Sequence, residues 1–290
     1  MPHPAAGWPG FTRAPPPPAA GLALGPVHLT VGDLGRALAY WTGIVGLQAR
    51  PQEGATAALH AGGLDLVVLV EELGAVPSRG HAGLFHVALL LPSRPDLAAW
   101  FARAMARYTT SEGLSDHRVS EAIYLRDPDG HGIEIYADRA SADWDGEMTT
   151  LQLDAAGLLA QRPEGPSPGT LPAGTVIGHV HLHVGDLEAA DRLYVDALGL
   201  DRTMATPGQV HFYSADGYHH HLAANLWAGA GVAQPPPGTA ALRRATLRLP
   251  DAAERDRIAA RAVGLGFEPV AIDEGILLAD PSGNPLLLTA

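Results

Sequence analysis

The sequence predicts an α+β protein made of four similar units, each a strand, a helix and about three further short strands (βαβββ). The first observation is an internal repeat: residues 25–47, GPVHLTVGDLGRALAYWTGIVGL, recur as residues 178–200, GHVHLHVGDLEAADRLYVDALGL. A weaker pair, residues 83–104 and 241–262, has the same strand-then-helix pattern. The sequence also carries no Gly-rich phosphate-binding motif at a strand–helix turn, which disfavours a doubly wound nucleotide-binding fold.

The elements follow from periodicity and turn signals. In the first and third units, alternating residues typical of a half-buried strand lead through Gly-Asp-Leu into a helical pattern that Gly-Leu closes. The second and fourth units end in a turn and a strand, DPDGHGIEIY and DPSGNPLLL. Asp127, Asp129 and Gly130 suit a tight turn, so we assign them no chemistry.

Composition divides the chain into four segments. Residues 1–24 are rich in Pro and Ala and are predicted to be a disordered tail. Residues 25–138 form the N-terminal half with units one and two, and residues 176–290 form the C-terminal half with units three and four. Residues 139–175 between them end rich in Gly, Pro and Ser and are predicted to be a linker with one short helix.

Composition also limits the function. The absence of cysteine excludes disulfides, thiolate metal sites and thiol nucleophiles, so any metal must be held by His, Asp or Glu. A net charge of -12 with only 19 Lys and Arg argues against nucleic-acid binding. Without a signal-peptide pattern or a membrane-length apolar run, we expect a cytoplasmic protein that binds no membrane and acts on a small molecule. A homo-oligomer is compatible with the sequence.

Four phrases carry a resemblance to a known family: LFHVALLLPSR, SDHRVSEAIYLRDPDGHGIEIYADR, IGHVHLHV and GYHHHLAANLW. Together with the four βαβββ units they resemble the vicinal oxygen chelate superfamily of glyoxalase, bleomycin-resistance and extradiol dioxygenase proteins, and within it the catechol 2,3-dioxygenase-like branch. The resemblance covers nearly everything outside the tail and linker. It implies that units pair to form two curved sheets, with metal ligands on the first and last strand of a unit.

Aligning the repeats shows which units still offer metal donors. Counting back seven residues from the Asp that opens the first helix of each half gives a histidine in unit three but a proline in unit one. The weaker repeat and the two DPxG turns provide the same comparison between units two and four. The donors and their counterparts are His179 and Pro26, His86 and Arg244, and Glu134 and Leu287.

We therefore expect units two and three to pair around one metal held by His86, Glu134 and His179. The rival arrangement pairs units one and two and uses His28, His86 and Glu134. Either set supplies two imidazoles and one carboxylate, which leaves coordination positions open as in non-haem Fe(II) oxygenases. Fe(II) is the expected ion, with Mn(II) as the alternative.

The resemblance also implies roles for residues around the metal. Tyr124, ten residues before Glu134, matches a tyrosine that hydrogen-bonds the substrate, and His117 matches a further histidine of the site. In the run of residues 219–221, His220 fits best as an acid/base catalyst beside the metal. The plain alternative is an adventitious metal patch on an exposed strand end. On a strand, His220 would point opposite to its two neighbours.

The strand of the third unit leaves two further histidines open. His181 and His183 alternate with apolar neighbours on the strand that carries His179, and they either line the site or face the surface.

The expected function is an extradiol ring-cleaving dioxygenase, which opens a catechol-type ring with O2 and therefore has a small aromatic diol and O2 as its partners. One alternative is a glyoxalase-like lyase or isomerase, which would take a fourth ligand from the histidine run and tolerate Ni, Co or Zn. Another is a non-catalytic ligand-binding protein of the bleomycin-resistance type, with no metal.

Overall fold

The computed structural model describes residues 21–107, 109–144, 146–165 and 167–290. Most of the predicted tail, residues 1–20, lies outside this part of the chain. The first strand begins at Ala23 and so includes the last two residues of the predicted tail. No helix in the described part is long and apolar enough to cross a membrane.

Each unit has the predicted order of elements. The first contains β1 (Ala23–Val31), α1 (Leu34–Tyr40), a π-helical turn (Trp41–Val45), β2 (Gln48–Ala49), β3 (Thr56–His60) and β4 (Asp65–Glu71), followed by β5 (Val76–Pro77). The second contains β6 (Gly83–Leu90), α2 (Arg94–Ala106), β7 (Gly113–Asp116), β8 (Ser120–Arg126) and β9 (Gly132–Asp138). The connection contains a 3-10 turn (Ser141–Asp143), β10 (Leu151–Gln152) and α3 (Ala155–Leu159).

The C-terminal half repeats this order. The third unit contains β11 (Val176–His183), α4 (Leu187–Asp191), a π-helical turn (Arg192–Ala197), β12 (Asp201–Thr206), β13 (Val210–Ser214) and β14 (Leu222–Asn225), followed by β15 (Thr239–Ala240). The fourth contains β16 (Leu242–Arg248), α5 (Ala252–Gly264), β17 (Val270–Ile272), β18 (Gly275–Ala279) and β19 (Pro285–Thr289).

The units pair across the two halves. Units two and three form one sheet, here called the site sheet, with the order β10-β7-β8-β9-β6-β11-β14-β13-β12. Units one and four form the companion sheet, with the order β17-β18-β19-β16-β1-β4-β3-β2. In each sheet the first strands of the two units meet as an antiparallel pair, β6 with β11 and β1 with β16. The predicted α+β class with two paired-unit sheets is confirmed, and units two and three are neighbours as expected.

Strand alternation assigns one face of the site sheet to the core and the other to the site. On β9, Ile133 and Ile135 are fully buried in the main hydrophobic core, and Glu134 between them points to the opposite face. On β6 the core residues are Val87 and Leu89, with the site-facing residues between and before them. Packing of the aliphatic side chains therefore fixes the register that presents the polar ones.

Aspartate side chains accept hydrogen bonds at the helix starts and in the DPxG turns. Asp33 and Asp186 cap α1 and α4, each accepting a hydrogen bond from the backbone N–H three residues later, as the Gly-Asp-Leu signal predicts. The π-helical turns that follow carry aromatic donors to the turns of the next unit. The paired contacts are Trp41 Nε1 to Asp127 Oδ2 at 3.1 Å and Tyr194 Oη to Asp280 Oδ2 at 2.7 Å.

Replacing Asp127 with Ala should destabilise the protein by about 3 kcal/mol, because this buried carboxylate also accepts the backbone N–H groups of Asp129 and His131. Urea unfolding followed by circular dichroism measures the change. Asp65→Ala is the matched control: its ion pair with Arg50 is partly exposed, so less than about 1 kcal/mol should be lost. Equal losses in the two variants would contradict a structural role for the turn.

The segment predicted to be a linker is part of the sheet. It has the expected short helix, α3, but β10 also pairs antiparallel with β7 at the sheet edge. Without β10, β7 would be the edge strand of the site sheet, with a row of unpaired backbone N–H and C=O groups. A nearby extended segment such as β10 can pair with these groups. The residues just before β10, 148–150, form one wall of the site cavity.

Candidate metal centre and active site

Three side chains from three adjacent strands meet in the site sheet. His86 on β6, Glu134 on β9 and His179 on β11 are 5%, 2% and 2% exposed. His86 Nε2 lies 3.2 Å from His179 Nε2, and Glu134 Oε2 lies 3.0 Å from both nitrogens. Among the described residues, these three form the one group of potential ligands whose donor atoms all lie within 4.8 Å of one another.

The protonation states suit a metal ion. Burial lowers the pKa of His179 to about 4, despite the opposing effect of Glu134. Burial by itself would raise the pKa of Glu134, but His179 and His86 outweigh it and hold that pKa well below its usual range. Near neutral pH the site therefore presents an ionised carboxylate beside a neutral imidazole. A buried carboxylate needs a cation to offset its desolvation, and two imidazoles with one carboxylate are a ligand set for divalent transition metals.

The rings of the two histidines are held by packing. The ring centroid of His86 lies 4.9 Å from that of Phe85 and 5.6 Å from that of Tyr124. The ring centroid of His179 lies 4.9 Å from that of Tyr136. Their outer nitrogens, Nδ1 in each case, have no hydrogen-bond partner among the described residues. Aromatic neighbours therefore orient both imidazoles. In other metal sites, a hydrogen bond from the outer nitrogen often has this role.

The rival ligand His28 lies on the companion sheet. It pairs in register with Arg244, as His181 pairs with His86 in the site sheet. It lines a different cavity, and burial lowers its pKa to about 4. His28 therefore does not meet His86 and Glu134, and the pairing of units one and two is wrong for this fold.

Tyr124 and His117 form a hydrogen-bonded pair at the cavity wall. His117 Nδ1 lies 2.7 Å from the Thr149 carbonyl, which only accepts, so this nitrogen carries the proton. His117 Nε2 is then an acceptor, and the Tyr124 hydroxyl donates to it at 2.7 Å. Burial, and then the charge of Glu134, raise the pKa of Tyr124 well above its usual range. A neutral Tyr124 thus keeps its oxygen lone pairs available to a ligand.

The histidine run precedes β14 and does not lie within a strand. His220 lines the cavity, with its ring centroid 4.1 Å from that of His179 and 4.9 Å from that of Phe212. His219 and His221 are outside the cavity lining; His219 binds Asp138 and His221 binds Ser214. The choice of His220 agrees with this geometry, although turn conformation and not strand alternation separates the three rings.

The two further histidines of β11 differ. His181 is buried, lines the cavity and accepts a hydrogen bond from Asn225 Nδ2 at 3.0 Å. Burial lowers its pKa well below the usual range, so it is neutral. His183 lies beyond the cavity and contacts Asn225 Oδ1.

Comparison with known proteins places the chain in a family. Residues 23–135 match the family model described as Glyoxalase/Bleomycin resistance protein/Dioxygenase superfamily. The chain is also 37% identical over 268 residues to catechol-2,3-dioxygenase of Bacillus subtilis (strain 168), covering 89% of this chain and 93% of that protein. This chain belongs to the glyoxalase/bleomycin resistance/dioxygenase superfamily. The predicted membership among its catechol 2,3-dioxygenase-like enzymes is thereby confirmed.

Two solved structures share the architecture over most of the chain. Glyoxalase I from Zea mays has a TM-score of 0.58 at 16% identity and covers 92% of each chain. A putative dioxygenase from Bacillus subtilis subsp. subtilis str. 168 has a TM-score of 0.60 at 13% identity, over 92% of this chain and 84% of that one. At such identities the similarity shows the fold alone.

The cavity of this superfamily member has walls that the sequence did not indicate. Its volume is about 350 Å³, which suits one substituted ring. Its apolar walls come from distant segments: Phe85, Met148, Met204, Phe212 and Trp227. Only Trp227, inside the quoted phrase GYHHHLAANLW, and Phe85, next to a ligand, were near a recognisable signal. The others come from a linker and two strands whose facing has no sequence signature.

Proposed function

We propose that the protein is an extradiol dioxygenase that opens a catechol-type ring with O2 at a single Fe(II) held by His86, Glu134 and His179. The observation that carries this proposal is the meeting of these three buried donors in the lining of a largely apolar cavity. When held by these three side chains, Fe(II) would supply the Lewis-acid and redox chemistry that the reaction of a catechol with O2 requires. Mn(II) is the alternative ion.

The residues around the cavity would divide the remaining work. The apolar walls would hold the ring and exclude water, which strengthens the electrostatic contacts within. Tyr124, oriented by its hydrogen bond to His117, would accept a hydrogen bond from a substrate hydroxyl. His220 begins neutral, because burial and then the nearby His179 lower its pKa well below the usual range. It would therefore accept a proton from the catechol and later return it.

The open side of the ligand set favours this reaction over a glyoxalase-like one. A lyase of that kind would need a fourth protein ligand, expected from the histidine run. In the structure His219 Nε2 contacts Asp138, and His221 Nδ1 contacts Ser214. His220 is not among the donor atoms within 4.8 Å of one another, for the residues described.

The cytoplasmic location and the homo-oligomer stay predictions from the sequence.

The protein loaded with Fe(II) and mixed with a panel of catechols in air should form yellow ring-fission products and consume one O2 per ring. Absorbance and an oxygen electrode measure the two together. Removing O2 should stop the reaction, which distinguishes a dioxygenase from a lyase or isomerase. Removing metal with a chelator should also stop it, which distinguishes an enzyme from a metal-free binding protein. No turnover of any catechol in the panel would refute the proposal.

A further inference from the structure

Asp138, His219 and His220 form an unbroken hydrogen-bond chain that ends at the cavity. Asp138 Oδ1 lies 2.9 Å from His219 Nε2, and His219 Nδ1 lies 2.8 Å from His220 Nδ1. Asp138 is on β9, four residues after Glu134 and thus on the same face of the strand. The strand that offers a carboxylate to the metal therefore also offers one to the histidine run.

The chain defines which nitrogens carry protons. A carboxylate only accepts, so His219 Nε2 must carry a proton. In the tautomer of His219 that carries a proton only at Nε2, Nδ1 can only accept, and the proton in the second contact then belongs to His220 Nδ1. His220 Nε2 is left with a free lone pair. Of the two tautomers of His220, the chain selects the one whose other nitrogen can act as a base.

The surroundings hold this chain in place. The His219 side chain is fully buried, against the rings of Tyr218 at 4.0 Å and Trp144 at 5.4 Å. Tyr218 Oη donates to the second oxygen of Asp138, Oδ2, at 3.0 Å. Tyr218, which is not a member of the hydrogen-bond chain, thus orients Asp138 through Oδ2, while Oδ1 remains directed at His219.

We propose that Asp138 and His219 are positioning residues that keep His220 in the tautomer with Nε2 unprotonated. The inference rests on the proposed function and adds two residues to it. In the step concerned, the O–H bond of a bound catechol hydroxyl breaks and an N–H bond forms at His220 Nε2. The positive charge that His220 gains is stabilised by the negative charge of Asp138, relayed through His219.

Steady-state kinetics of the iron-loaded protein tests the role in turnover. Asp138→Asn lets an amide N–H face His219 Nε2 and so favours the wrong tautomer. It should lower kcat roughly 10- to 100-fold with KM and iron content little changed, the size expected for loss of an orienting partner. His219→Phe should do the same, because it fills the space without an acceptor. His219→Asn should lose less activity than His219→Phe, because its side-chain oxygen, close to the position of Nδ1, can still accept from His220 Nδ1.

Asp191→Asn is the matched control. It makes the same carboxylate-to-amide change in a second Asp–His pair, Asp191 Oδ1 with His211 Nδ1 at 3.0 Å, whose residues are outside the cavity lining, so kcat should stay within about 3-fold of the parent. Anaerobic binding of 4-nitrocatechol adds a spectroscopic readout, since its visible spectrum distinguishes ionised from protonated forms. The bound ligand should be less ionised in Asp138→Asn than in the parent protein.

Nitrogen-15 NMR of the full chain loaded with Zn(II), with labelled histidine, tests the tautomer without any turnover. The spectrum of His220, assigned by its loss in His220→Gln, should show Nδ1 protonated and Nε2 unprotonated, and Asp138→Asn should disturb that pattern. A parent spectrum with the proton on Nε2 would overturn the inference even if no catechol is a substrate. So would unchanged kcat in both Asp138→Asn and His219→Phe in a protein that does cleave catechols.

Discussion

Replacing Glu134 with Gln should lower iron affinity by more than about 100-fold and abolish ring cleavage. Loss of a residue that only hydrogen-bonds a metal ligand already lowers metal affinity or activity by about 10- to 100-fold, and Glu134 is itself a proposed ligand. Glu134 supplies the only charge among the three proposed ligands, and it lies 3.0 Å from both imidazole nitrogens. An amide of the same shape keeps the packing but removes the negative charge that offsets the cation. Iron per chain after dialysis, measured by elemental analysis, gives the result.

Glu112→Gln is the matched control for this variant. Glu112 also lines the cavity, but its carboxylate is bound to Arg126 at 2.8 and 2.9 Å and lies outside the donor group. Its iron content should equal that of the parent protein. If Glu134→Gln retained full iron and turnover, the assignment of the metal to the site sheet would be wrong.

Replacing His220 with Ala should lower kcat by about 10²- to 10⁴-fold, the usual contribution of a positioned acid/base group, while iron stays bound. His220 lines the cavity beside His179 yet lies outside the group of three donor atoms. Loss of its nitrogen therefore removes a proton acceptor and leaves the ligand set complete. Steady-state kinetics with measured iron content tests both parts of this expectation.

His221→Gln is the control within the same run of residues. His221 Nδ1 contacts Ser214 Oγ at 2.9 Å, outside the cavity, and a Gln oxygen can replace that acceptor. The variant should cleave catechols at close to the parent rate. Iron loss in His220→Ala would show that His220 is a ligand and would favour the glyoxalase-like alternative.

The two halves of the repeat explain why the three proposed metal ligands could be predicted from the sequence. Equivalent positions in the two sheets carry His86 and Arg244, and in the structure each pairs with the matching residue of the neighbouring unit, His181 and His28. Strand periodicity makes such positions share a face in both copies. Counting along the repeats therefore compared structurally equivalent positions. Only the site sheet carries His86, Glu134 and His179 at these positions, and there the three side chains meet.

The surroundings of the site followed different rules. The ring facing of residues 219–221 depends on a turn before β14, where the alternation of a strand does not apply. The contribution of Met148 and Thr149 to the cavity arises because β10 joins the edge of β7. Sequence patterns report local periodicity, and these contacts come from segments that meet only after the sheet has formed.

By itself, the sequence determined the α+β class and the four units, because these depend on local periodicity and on comparison between repeats. The family and the three residues proposed to hold the metal followed from the resemblance of four sequence phrases to a known superfamily, together with the register of the repeats. The tertiary structure alone decided that His28 lies in a different cavity and that a turn, not strand alternation, directs His220 to the site. It alone placed Asp138 behind His219. These features depend on pairing between distant strands and on turn geometry, which no short stretch of sequence encodes.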